Sequence, residues 1–172
     1  MMGCGDVRAA RVWVFVGALF LAGCETSSTD GPLPTPEEVT AAYESTRELE
    51  AEIVGNVAVV RVRQDPQQLR RGGSLWAKVG PYIFLFSAET QDLFVNYPGL
   101  AAVRVITTVG ETEVANAILV ADQLTDVLWR RSLNISGLAR RDGTSRMTLL
   151  EDLVDWGETH TDFTYNERFT RR

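Results

Sequence analysis

Residues 103–120 constrain this chain more than any other stretch. Val103, Val105, Thr107 and Val109 alternate with other residues, Gly110-Glu111-Thr112 interrupts, and Val114, Asn116, Ile118 and Val120 alternate back. A period of two on both sides of a short glycine-bearing turn predicts a β-hairpin with one buried face. A chain holding such a hairpin must cover it. The flanking stretches show helical spacing, so helices are the cover to expect.

Thr35-Pro36-Glu37-Glu38 has the chemistry of a helix start, with Thr35 as N-cap, Pro36 in the first turn and Glu38 completing a capping box. Val39, Ala42, Tyr43, Thr46, Leu49 and Ile53 follow at threes and fours, and Gly55 is the expected stop. Val57 to Arg63 is dense in β-branched residues and reads as a strand. Residues 74–97 leave two readings open. Leu75, Val79, Tyr82, Ile83, Phe86, Leu93, Phe94 and Tyr97 repeat at helical spacing, whereas Tyr82-Ile83-Phe84-Leu85-Phe86 has strand composition. Helix is favoured, starting or kinking at Pro81, and Pro98-Gly99 ends the segment.

After the hairpin, Asp122 is the expected cap of a helix carrying Leu124, Leu128, Ile135 and Leu138, stopping near Gly143. Ser145 opens a last helix with Met147, Leu150, Leu153 and Trp156, and Gly157 closes it. From about residue 158 the tail has no clear period. The expected fold is α+β, a small mixed three-stranded sheet covered by helices in the order α-β-α-β-β-α-α. It forms one domain over residues 36–172.

The amino-terminal region is of another kind. Arg8 and Arg11 precede the uncharged apolar run Val12–Ala22, which covers only about 17 Å as a helix, short of the ~30 Å hydrocarbon core. The run ends in Leu21-Ala22-Gly23-Cys24, which resembles the lipobox of bacterial lipoproteins at all four positions. The resemblance implies a signal peptide over residues 1–23, recognised by its peptidase through Leu21, Ala22 and Gly23. It further implies acyl chains on Cys24 and residence on the outer side of the cytoplasmic membrane. Glu25, where an aspartate would signal inner-membrane retention, implies the periplasmic face of the outer membrane in a Gram-negative envelope. Glu25 to Pro36 holds three prolines and hardly an apolar side chain, so residues 24–35 read as lipidated cysteine and tether.

Composition removes several function classes. The 172 residues carry a net charge of −6, and −7 without the +1 of residues 1–23, which disfavours nucleic acid as a partner. Cys4 and Cys24 both fall in the leader or at its end, leaving no pair for a disulfide in the domain. One histidine, His160, excludes the two-histidine zinc patterns. Nothing in the sequence calls for a metal, a cofactor or a catalytic residue.

The remaining chemistry is thin. In an extended chain Glu158, His160 and Asp162 would point one way, a conceivable general base or hydrolase site, although a solvated tail histidine is the simpler reading. The acidic groups Glu37/Glu38 and Glu151/Asp152/Asp155 suit a helix start and a solvated helix side, and Gly72-Gly73-Ser74 lacks the lysine of a phosphate loop. Arg130-Arg131 and Arg140-Arg141, about 15 Å apart on one helix, are candidates for contact with an acidic partner. The sequence thus leads to a membrane-anchored, non-catalytic interaction or accessory subunit of an envelope complex. The alternative is a ligand-binding lipoprotein with a pocket beside residues 74–97, and a hydrolase ranks third.

Overall fold

The computed structural model describes residues 31–43 and 48–171. The fold class is α+β, built on a single mixed sheet in the order β1-β2-β3-β4-β5. Strand β1 (Leu49–Val54) pairs antiparallel with β2 (Val57–Arg63), which runs parallel to β3 (Ala102–Val109). Strands β4 (Thr112–Val120) and β5 (Asp162–Tyr165) complete the sheet in antiparallel fashion. Helices α1 (Pro36–Ala42), α2 (Pro66–Leu85), α3 (Ala88–Asn96), α4 (Asp126–Asp142), α5 (Thr148–His160) and α6 (Glu167–Thr170) complete the chain.

The sheet therefore has five strands where three were expected, and the element order differs accordingly. The helix expected to run from Pro36 past Leu49 ends at Ala42, and β1 takes its second half. Leu49 and Ile53 satisfy both a period of four and a period of two. Glu50 and Glu52 between them decide for two, and burial alternates along the strand. Gly55, at φ 63°, is the turn of the β1–β2 hairpin rather than a helix stop. The fifth strand is a four-residue piece of the tail, too short to announce itself by period.

The 103–120 hairpin is present, but its second strand faces the other way. The register shifts between Thr107 and Thr108, so Thr107 opposes Ala115 and Thr108 opposes Glu113, leaving Val114 as the extra residue of a bulge. Ala115, Ala117 and Leu119, at most 1% exposed, therefore face inward with Val103 and Val105. Asn116, Ile118 and Val120 face outward. A bulge changes the phase of alternation, and periodicity alone does not reveal it.

The 74–97 region is helical, as two helices broken at Phe86-Ser87. Helices α2 and α3 span it, and the kink lies at Gly73, whose φ 61° and ψ −149° only glycine adopts easily, rather than at Pro81. Thr125, not Asp122, caps α4, and α5 continues through Gly157 to His160. Helices α2, α4 and α5 gather over the inward face, where Val60, Val62, Val103, Val105 and Leu119 meet Tyr82, Leu85, Phe86, Leu150 and Leu153 in one core. No helix among the described residues is long and apolar enough to cross a membrane.

Candidate functional site

A cleft of about 480 Å³ opens beyond the carboxyl end of β2. Residues from four separate stretches line it: Tyr43, Arg63-Gln64-Asp65, Trp76 to Ser87, and Arg140. Its position follows from the β2–α2 crossover. The chain leaves β2 at Arg63, turns at Asp65, which caps α2 by accepting a hydrogen bond from the Gln67 amide, and returns as α2 over β3 and β4. The space between that turn and the end of α2 is left open.

The apolar wall comes from Val62, Trp76, Ile83 and Phe84. The end of α2 exposes the carbonyls that a terminating helix leaves without i+4 donors. Ile83 O receives the Arg140 guanidinium at 2.8 Å and the Ser136 hydroxyl at 3.5 Å, while Phe84 O receives the Thr90 hydroxyl at 2.7 Å. Thr90 Oγ1 in turn lies 2.6 Å from the Tyr43 hydroxyl, tying α1 to α3. Burial pushes the Tyr43 pKa above the ordinary tyrosine range, so this hydroxyl stays protonated.

Gln64 lines the cleft and is under-satisfied. Its Nε2 reaches Trp76 O at 3.4 Å, but its buried Oε1 has no hydrogen-bond partner among the described residues. The amide lies against Gly80, where an added Cβ would come 2.0 Å from Nε2 and push the amide aside. A buried carbonyl oxygen without a donor costs about 1–3 kcal/mol, which a bound donor would recover once the side chain turns toward the cleft. Charge around the cleft is mixed. Arg63 is paired with Glu48 at 3.5 Å, and Arg140 and Glu89 line the cleft with hydrogen-bonding capacity to spare.

The candidates from the sequence are scattered. Cys24 and Leu21, Ala22 and Gly23 lie outside the described residues. Of the four arginines, Arg140 is at the cleft, Arg131 lies over the Trp156 ring at 4.5 Å, and Arg141 pairs with its neighbour Asp142. Arg130 is exposed. They do not form a single grip, because a helix turns successive pairs to different sides. Glu158, His160 and Asp162 do not converge either, since α5 runs through His160 and the extended geometry does not occur. His160 stacks on Trp156 at 4.0 Å and binds the Trp156 carbonyl through Nδ1, while Glu158 pairs with Lys78 at 3.2 Å. Among the described residues no group of three or more His, Cys, Asp or Glu is placed to hold a metal.

Sequence reasoning did not single out Gln64, Ser87 or Glu89. The signals toward the cleft were Arg140 and the pocket expected beside residues 74–97. A second polar group, also unforeseen, joins α2, α5 and β5. The Tyr82 and Tyr165 hydroxyls lie 2.5 Å apart, and Lys78 sits 4.8 Å from the Tyr165 ring centre. Burial raises the Tyr82 pKa to about 12 and, together with the Tyr82 hydrogen bond, pushes Tyr165 still higher. Above the unfolded value near 10, the unfolded chain releases these protons while the folded one keeps them, so stability falls as pH rises. Urea midpoints should hold up to about pH 10 and drop between about 10 and 12. Tyr82→Phe should flatten that drop, and an unchanged slope would show that the pair does not control it.

No protein-family model, curated protein or solved structure matches the chain.

Proposed function

We propose that this chain is a lipid-anchored, non-catalytic accessory protein of the cell envelope, and that a short segment of a partner protein seats in the cleft beside α2. The lipobox-like sequence at Leu21–Cys24 supports the anchor, with Glu25 favouring the periplasmic face of the outer membrane. The observation carrying the binding role is the Gln64 amide on a cleft with an apolar wall: its Oε1 has no donor among the described residues, and rotation of the side chain would present it to a ligand. A peptide segment offers what that surface lacks: backbone N–H groups for Gln64, an apolar side chain for Trp76 and Phe84, and polar ends for Arg140 and Glu89.

A photo-crosslinking residue at Gln68, an exposed member of the cleft, tests this in native membranes. The expected result is an adduct with a second envelope protein that is absent when the same residue replaces Glu111, on the β3–β4 turn. Self-adducts alone, no adduct, or identical adducts from both positions would overturn the binding role.

A further inference from the structure

We infer that the domain rests one end of its sheet on the bilayer, through an apolar row that lies where the anchored segment joins it. The register sets Val54 against Val57, Val57 against Ala102, and Ala102 against Val120, so one row across four strands contains no polar side chain. Its two ends are open to solvent, Val54 being 57% and Val120 42% exposed. Leu33 and Val95, 42% and 72% exposed, belong to the same end of the molecule. Val95 closes α3 just before Pro98-Gly99, and Gly99 N donates to Pro32 O at 3.2 Å. The bond from Ala101 N to Asn56 O, at 2.8 Å, ties that loop to the β1–β2 turn beside Val54 and Val57.

The inference rests on the acylation of Cys24. Seven residue steps separate Cys24 from Gly31, at most about 25 Å when fully extended. A leash that short holds this end nearest the membrane. Charge is distributed accordingly. The next row on the same face carries Glu52, Arg104 and, on β5, Asp162, a net negative charge, while Glu48, Glu50, Arg61, Arg63 and Glu111 crowd the opposite end. An uncharged row bordered by a net acidic margin, Glu52, Asp162 and Asp122 against Arg104, suits zwitterionic head groups and the acyl boundary beneath them rather than an anionic surface. The cleft, beyond the opposite end of β2, is then directed away from the bilayer and open to a partner.

The test uses the mature, acylated protein in phosphatidylcholine vesicles, with an environment-sensitive fluorophore on Val54→Cys, Val120→Cys or Glu111→Cys. The first two replace exposed side chains, and an acylated Cys24 does not take the label. Lipids brominated in the acyl chain should quench the labels at 54 and 120 several-fold more than the label at 111. Equal quenching at all three sites overturns the docking, as does a blue shift at 54 and 120 without quenching, which would place a second copy or the chain itself on the row. If intact mass confirms acylation in those cases, the anchor stands. An unacylated mass removes anchor and docking together.

Discussion

Gly157→Ala is expected to destabilise the protein by about 2 kcal/mol, although alanine is the better helix former by about 1 kcal/mol. Gly157 is buried where α5 crosses α2, and a Cβ there would fall 2.5 Å from three atoms of the Tyr82 ring. The ring has no retreat. It is fully buried, it stacks on Phe86 with centroids 6.0 Å apart, and its hydroxyl is held by Tyr165. The helices must therefore separate, and the packing of Leu150 and Leu153 with them. Gly137→Ala is the matched control. That position lies in α4 with nothing within 4 Å of the added carbon, so the substitution should stabilise by about 0.5–1 kcal/mol. Urea denaturation of both variants measures the contrast. Equal shifts would mean that α5 does not approach Tyr82 this closely.

Cys24→Ser should move the protein from the membrane fraction to the soluble one. The proposed anchoring depends on the thiol, because the lipobox resemblance places diacylglyceryl transfer on the sulfur of Cys24 and a serine hydroxyl is a far weaker nucleophile toward the lipid donor. At about 0.8 kcal/mol per buried CH₂, two or three acyl chains hold a domain durably, and their loss leaves only the shallow contact of a few valines. Membrane fractionation and intact mass measure the effect together. The native protein should lack residues 1–23 and carry the acyl mass, and the variant should have neither change. A Cys24→Ser protein that still sediments wholly with membranes would defeat the anchor. Since the core of the described residues draws on no side chain before Val39, the urea midpoint of the domain should be unaffected.

The local chemistry of the chain made part of the fold legible. Thr35, Pro36 and Glu38 form the capping box that their order suggests, with Thr35 N donating to Glu38 Oε2 at 2.7 Å and Glu38 N to Thr35 Oγ1 at 3.2 Å. The β-branched run at 57–63 is a central strand, and the alternation at 103–120 is a hairpin. These features are set by residues within a few positions of one another, where propensity and capping act.

Other features were ambiguous for the same reason. Leu49 and Ile53 fit a helix or a strand, and only pairing with β2 separates the two. Gly157 has the composition of a helix stop, yet it serves a close approach to Tyr82, 75 positions earlier in the chain. The Val114 bulge turned Ile118 and Val120 outward, and with them the character of the open sheet face.

By itself, then, the sequence determined the α+β class, the capping box at Thr35 and the central hairpin, because each is written in neighbouring residues. Tertiary structure alone decided where Arg140 meets Ile83, that Gln64 Oε1 is buried without a donor among the described residues, and that Val54, Val57, Ala102 and Val120 share one row. Cleft and row are assembled from segments tens of residues apart. Their geometry depends on strand register and helix crossing, which no local pattern specifies.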